Sequence, residues 1–286
     1  MKKIVVLAKQ VPDTEHIFGN AMKEDGTVNR AALPAIFNPE DLNALEMALS
    51  IKEKLGHEVT VITMGPLKAA EILRHALYMG ADKVYLISDR RFAGADTLAT
   101  SYVLAEAIKK FSDVVTVLAG RQAIDGDTAQ VGPQVAEKLD FNQVSYVSKL
   151  REIGDDSITV ERDGEVQAEI IRTGFPVLLT VTSAANTPRY PNAHNMLKYF
   201  RADIPSNIPE EKLEEAERND WIIPVLTLDD LGLDEERCGL KGSPTRVFAI
   251  KNITLTSGDL TLFGADPPGV KELIDQIIKD YVEVKE

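Results

Sequence analysis

Short, continuously apolar, β-branched runs alternate with longer helix-period segments along the first two thirds of this chain. The runs are Ile4–Ala8, Val59–Met64, Lys83–Ile87 and Val114–Ala119. Between them, 41–55, 69–79 and 98–111 carry apolar residues recurring at three and four. A strand with one wet face alternates apolar and polar residues, whereas a strand buried on both faces is apolar throughout. Buried strands separated by helices form a parallel sheet through right-handed crossovers, with helices covering it. The expected class is therefore α/β, a mainly parallel, Rossmann-like sheet flanked by helices.

After Leu139 the rhythm changes. Strand-like segments at 143–150, 157–162 and 166–172 lie close together, with Arg162-Asp163-Gly164 as the expected hairpin turn. Val177–Thr182 follows as another buried-type strand. This predicts an antiparallel hairpin and then a return to the main sheet. From Ala202 onward, Pro205, Pro209, Pro224, Pro244, Pro267 and Pro268 punctuate a charged stretch with only short apolar runs. Such a segment is too poor in continuous apolar sequence to fold alone. The expected division is an α/β domain over 1–201 and an extended carboxyl arm over 202–286. Trp221-Ile222-Ile223 and Val247–Ile250 would give that arm its adhesive points on another surface, and 271–284 a last amphipathic helix.

Charge narrows the partners. Lys and Arg number 32 against 45 Asp and Glu, a formal charge of −13. A chain this acidic is repelled at long range by nucleic acid and by anionic lipid. The single cysteine, Cys238, excludes an intrachain disulfide and any multi-cysteine cluster. The Ile4–Ala8 run is too short for a signal peptide, and no stretch approaches the roughly 20 apolar residues of a membrane span. The expectation is a cytoplasmic protein with no direct membrane insertion.

Ligands of open parallel sheets bind at the carboxyl ends of the strands, where helix starts offer unpaired N–H groups to phosphates. Four turns qualify. Asn38-Pro39-Glu40-Asp41 places a capping residue, a proline and acids at a helix start, which plain capping also explains. Met64-Gly65-Pro66 follows a strand directly, and Gly94-Ala95-Asp96-Thr97 opens a helix; both are equally ordinary as helix starts. The fourth turn, Ala119 to Pro133, runs to about twice the usual length of roughly two to six residues, and such excess is commonly functional. Its Asp125 and Asp127 would repel a phosphate, so binding there falls to backbone N–H groups, Thr128 and Gln130. Arg121 is the obvious cation, or else half of a surface ion pair.

Other chemistry is not encoded. Neither a Gly-x-Gly-x-x-Gly turn nor a Walker loop is present. His16, His57, His75 and His194 lack metal-ligand spacing, and no nucleophile–base constellation occurs. Any redox chemistry must come from a cofactor.

Asn38-Pro39, Met64-Gly65-Pro66 and the run Gly120 to Gln130, followed by Asn186-Thr187-Pro188-Arg189-Tyr190, resemble the nucleotide-binding segments and Asn-x-Pro-Arg-Tyr signature of the electron-transfer flavoprotein β family. The resemblance spans about residues 1–200. It implies a nucleotide-α-hydrolase-like domain paired in a heterodimer with an α subunit that holds its own FAD. The residues it places against a nucleotide are Ala8, Lys9, Asn38, Asp41, Met64, Gly65, Asp96, Thr97, Thr100, Gly120, Arg121, Gln122, Ala123, Asp127, Thr128, Ala129, Gln130, Val131, Gly132, Pro133 and Gln134. Gly94-Ala95-Asp96-Thr97-Leu98-Ala99-Thr100 and the Gly239–Thr245 run resemble the electron-bifurcating branch, and Ala193 falls near the docking leucine of respiratory members. That branch implies FAD in the β subunit, NADH as its reductant, and ferredoxin or flavodoxin as low-potential acceptor. In the alternative, the β subunit is non-bifurcating, holds structural AMP and supports electron transfer from dehydrogenases to a quinone reductase; a quinone- or acyl-CoA-linked oxidoreductase is the further partner that the resemblance implies. Glu40 and Asp41 are further expected to make polar contact with the flavin or nicotinamide end, or to complement the helix dipole. The general fold is shared with universal-stress-type ATP-binding modules, which leave the Pro-Arg-Tyr signature unexplained.

Overall fold

The computed structural model describes residues 1–13, 34–245 and 261–279. A nine-stranded sheet forms its centre. The strands are β1 (Lys3–Ala8), β4 (Glu58–Met64), β5 (Lys83–Ile87), β6 (Val114–Gly120), β7 (Asn142–Ile153), β8 (Ser157–Asp163), β9 (Ala168–Gly174), β10 (Val177–Val181) and β11 (Val225–Leu226). Their order is β11-β5-β4-β1-β6-β10-β7-β8-β9. From β11 to β7 all pairs are parallel, and β7-β8-β9 is an antiparallel meander. A separate antiparallel pair joins β2 (Gln10–Pro12) to β3 (Ala35–Phe37).

Helices cover both faces, and the residues of β1 show why the run must be apolar throughout. Ile4, Val6 and Ala8 share a core with α1 (Pro39–Leu55) and α2 (Ala70–Met79). Val5 and Leu7 share another with α3 (Thr97–Lys109) and α4 (Val131–Leu139) on the opposite face. β1 pairs with β4 on one side and β6 on the other, so the chain winds outward in both directions from a switch point between β1 and β6. The carboxyl ends of β1 and β6 and the start of α1 meet there.

Two details differ from expectation. Asp163 still pairs with Ala168 inside the ladder, and the turn lies across Gly164–Gln167, closed by Gly164 N–H donating to the Gln167 carbonyl at 3.1 Å. The expected turn at Arg162–Gly164 is therefore displaced toward the carboxyl side, because Arg162 and Asp163 retain strand pairing. β7 also does more than form a hairpin: it pairs in parallel with β10, which makes the meander continuous with the main sheet.

The segment after Ala202 divides. Ala202, Ile204, Ile223, Leu228, Leu231, Leu233 and Cys238 are buried in this chain's own cores. β11 lengthens the sheet beside β5, and the short helices α5 (Ala193–Tyr199), α6 (Leu213–Arg218) and α7 (Leu228–Leu231) decorate that region. The last helix, α8 (Pro267–Ile277), covers the first part of the expected 271–284 helix. Val247–Ile250 and the end of that helix lie outside the described residues. Among the described residues, no helix is long and apolar enough to cross a membrane.

Candidate nucleotide-binding site

Asn38 starts α1 and is fully buried, yet its side chain does not cap the helix. Instead Asn38 Nδ2 donates to the Gln122 carbonyl at 2.9 Å, and Oδ1 accepts from Ile124 N–H at 3.1 Å. Pro39 has no N–H to satisfy at the first helical position, so the helix start tolerates the diversion. Asn38 thus staples the long loop that follows β6.

Glu40 and Asp41 complete the clamp. Glu40 Oε2 accepts from Gln122 N–H at 3.1 Å, and Oε1 lies 3.2 Å from Arg121 Nη2. Asp41 Oδ2 accepts from Lys9 N–H at 2.8 Å, and Oδ1 from Gly120 N–H at 2.9 Å. These two amides stand where β1 and β6 end, so one buried carboxylate spans the switch point. Burial pushes the Asp41 carboxyl up to about 7, against the opposing pull of the Lys9 amide, the Asn38 side chain and the Gly120 amide. A Cβ on Gly120 would stand 2.5 Å from Asp41 Oδ1, so only glycine admits this approach. Both carboxylates are thus committed to shaping the loop.

The loop itself occupies 121–130, between β6 and α4. Asp127 and Ala129 adopt left-handed backbone, with φ of 49° and 52°. This conformation is costly for non-glycine residues and concentrates at ligand sites. Among the described residues, the N–H groups of Thr128, Ala129 and Gln130 have no acceptor. The start of α4 likewise has no side-chain cap. Gly132 is buried beneath it, where a Cβ would meet Thr180 Cγ2 at 2.6 Å, so glycine lets the helix start press onto β10. The result is a cluster of unpartnered donors at the positive end of a helix, an arrangement that attracts phosphate.

Side-chain charge near the rim is largely cancelled. Lys9 Nζ is paired with Asp125 at 2.7 Å, and Arg121 with Glu40. Gln122 Nε2 donates to Asp127 Oδ1 at 2.8 Å. Asp125 and Asp127 therefore brace the loop. Arg121 is an ion-pair partner whose guanidinium lies 5.9 Å from the Tyr146 ring centroid, and its Nε is buried without an acceptor.

α3 starts beside α4. Thr97 Oγ1 donates to Gln130 Oε1 at 2.8 Å, and Ser101 Oγ donates to Gln134 Oε1 at 2.9 Å. Thr97, Gln130 and Gln134 thus converge, with Thr100 half-buried on the same helix start. Ser101 joins them without having been singled out, although its place four residues after Thr97 puts it on the same helix face. Met64 packs half-buried on the core, and Gly65 N–H donates to the Ile87 carbonyl at 3.1 Å, next to the end of β1. Among the described residues, no hydrogen bond ties that turn to the loop. Asp96 is the outlier: one carboxylate oxygen caps α3 at Leu98 and Ala99, and the other accepts from Thr245. Ser243 and Thr245 were invisible as its partners, since nearly 150 residues separate them.

The Asn186–Tyr190 signature braces the exit of β10. Arg189 forks onto Glu46 of α1 at 2.8 and 2.9 Å and reaches Glu53 at 2.6 Å, while Asn186 exchanges hydrogen bonds with Asn43.

Residues 25–206 match the model of the electron transfer flavoprotein domain. The chain belongs to the electron transfer flavoprotein β-subunit family. It is 44% identical to electron transfer flavoprotein subunit beta of Thermoanaerobacterium thermosaccharolyticum, over 98% of this chain and 99% of that one. It is 45% identical to the caffeyl-CoA reductase-Etf complex subunit CarD of Acetobacterium woodii, over 86% of each chain. It is 38% identical to the acryloyl-CoA reductase electron transfer subunit gamma of Anaerotignum propionicum, over 98% of this chain and 99% of that one. Electron transfer is accordingly the broad function of this β-subunit family.

Proposed function

We propose that the chain pairs with an electron transfer flavoprotein α subunit and holds FAD along the rim formed by the β6–α4 loop and the start of α3. The observation that carries this is the set of unpartnered backbone amides at Thr128, Ala129 and Gln130, beside the Thr97 hydroxyl, which donates to the Gln130 side-chain Oε1 at 2.8 Å. Donors left open at an uncapped helix start fit a diphosphate, which brings only acceptors.

Within this reading, Thr128, Ala129, Gln130, Val131 and Gly132 supply backbone donors. Gly120 admits the close approach of Asp41 and Gly132 lets the start of α4 press onto β10, while Asn38, Glu40 and Asp41 hold the loop in place. Ala8, Lys9, Met64 and Gly65 line the neighbouring strand ends, and Thr97, Thr100 and Gln134 extend the polar rim. A bound FAD would supply a two-electron acceptor for NADH that passes electrons singly to the α-subunit flavin and to a low-potential acceptor such as ferredoxin or flavodoxin. The names of two relatives, a caffeyl-CoA and an acryloyl-CoA reductase subunit, support an acyl-CoA-linked oxidoreductase as the further partner.

One observation favours AMP instead. The Asp96 carboxylate and the Thr97 hydroxyl are already satisfied within the chain, so a ligand shorter than FAD leaves nothing unpaired on α3. Denaturing the purified α–β complex and separating its nucleotides decides the matter. Two FAD per heterodimer are expected; one FAD and one AMP would overturn the FAD reading.

A further inference from the structure

The Gly239–Thr245 turn is built onto the start of α3 through one side chain. Asp96 Oδ2 accepts from Thr245 Oγ1 at 2.7 Å and from Thr245 N–H at 3.1 Å. Asp96 N–H donates to Ser243 Oγ at 2.8 Å, and Ser243, itself buried, donates onward to the Gly239 carbonyl at 2.7 Å. Leu240 N–H donates to the Ala93 carbonyl at 3.1 Å. The fit is close on both sides. A Cβ on Gly239 would lie 2.2 Å from the Arg91 carbonyl oxygen, and one on Gly94 would lie 2.7 Å from Leu240 Cγ. Both glycines have positive φ, 53° and 73°, which side-chain-bearing residues rarely adopt.

The other oxygen of the same carboxylate caps α3, accepting from Leu98 and Ala99 N–H at 3.0 Å each. The next residue is Thr97, whose hydroxyl meets Gln130 beside the open amides of the loop. The orientation of the Asp96 carboxylate is therefore fixed jointly by a turn far along the chain and by the helix start that borders the nucleotide rim.

We propose that Asp96, Ser243 and Thr245 are positioning residues for the nucleotide site, a latch through which docking of the 239–245 turn sets the direction of Thr97 and hence nucleotide affinity. This rests on the nucleotide reading above and adds a regulatory element to it. The coupling is reciprocal by linkage: nucleotide on the rim tightens the turn, and whatever draws the turn away loosens the nucleotide.

The test uses the full-length chain freed of nucleotide, with FAD and ADP as probes. The double variant Ser243→Ala/Thr245→Val should bind both probes about tenfold more weakly, within the usual range of site-to-site coupling. Thr245→Ser, which keeps the hydroxyl, should restore wild-type affinity. In the wild type, adding FAD should slow amide exchange at 239–245, a response that a merely structural turn would not give. If the wild type binds the probes, the double variant binds equally well and exchange at 239–245 ignores the ligand, the latch is refuted while the nucleotide site stands. If the wild type binds neither probe, the nucleotide reading falls and takes the latch with it.

Discussion

Replacing Asp41 with asparagine tests the switch-point clamp. Asp41 is 6% exposed and accepts from two backbone amides. Its carboxyl is held at about 7, against 3.8 for a free one. Between those values the folded protein retains a proton that the unfolded chain has released. Stability from this group is therefore complete below the free value and is lost as pH rises toward about 7. Going from about pH 5 to about pH 8 crosses roughly two units of that window, or about 3 kcal/mol. Asparagine does not titrate, so the difference in unfolding free energy between wild type and Asp41→Asn should shift by that amount in favour of the variant. A constant offset of about 1–3 kcal/mol against the variant accompanies it, because the carboxamide turns a donor toward Lys9 or Gly120 N–H. The neighbouring charges Lys9, Glu40, Arg121 and Asp125 are common to both proteins and cancel in the comparison. Urea unfolding followed by the single tryptophan, Trp221, measures the difference. A difference that stays constant across the pH series would refute the assignment of a buried, proton-holding clamp.

Three other substitutions probe the surrounding construction. Gly132→Ala forces a Cβ onto Thr180, and the displaced α4 start should cost about 1–3 kcal/mol in urea unfolding and weaken nucleotide binding with it. Arg189→Lys loses the fork on Glu46; with the guanidinium side chain 34% exposed, the loss should be about 1 kcal/mol by the same assay. Thr97→Val with Thr100→Val should lower FAD affinity about tenfold by isothermal titration while α–β co-purification persists, since donors are removed at nearly constant volume.

The main sheet was legible because burial on both faces leaves a signature no solvent-facing strand carries. Ile4–Ala8 had to serve two helical layers at once, and its unbroken apolar run says so. The turn at Gly164–Gln167 was misplaced because the sequence rule weighs Asp-Gly locally, whereas ladder pairing extended β8 by one residue. Asn38 and Asp41 were legible as residues at a helix start. Their partners were not, since Gln122, Ile124 and Gly120 reach them only once β1 and β6 lie side by side. The same reason hid Ser243 and Thr245 behind Asp96. The segment after Ala202 read as an arm because its apolar residues are scattered, yet Ala202, Ile204 and Ile223 complete the core on one face and Leu228 and Leu231 that on the other. Scattered hydrophobes show no period when each fills a gap in a surface built by earlier residues.

The central claim is that open backbone amides, not side-chain cations, receive the diphosphate. Hydrogen exchange of the α–β complex, compared with and without nucleotide, reads those amides directly. Protection should rise sharply at Thr128, Ala129, Gln130 and Val131, with the already bonded Gln122 and Ile124 amides little changed. Unaltered exchange at 128–131 in a complex that has bound nucleotide would contradict it.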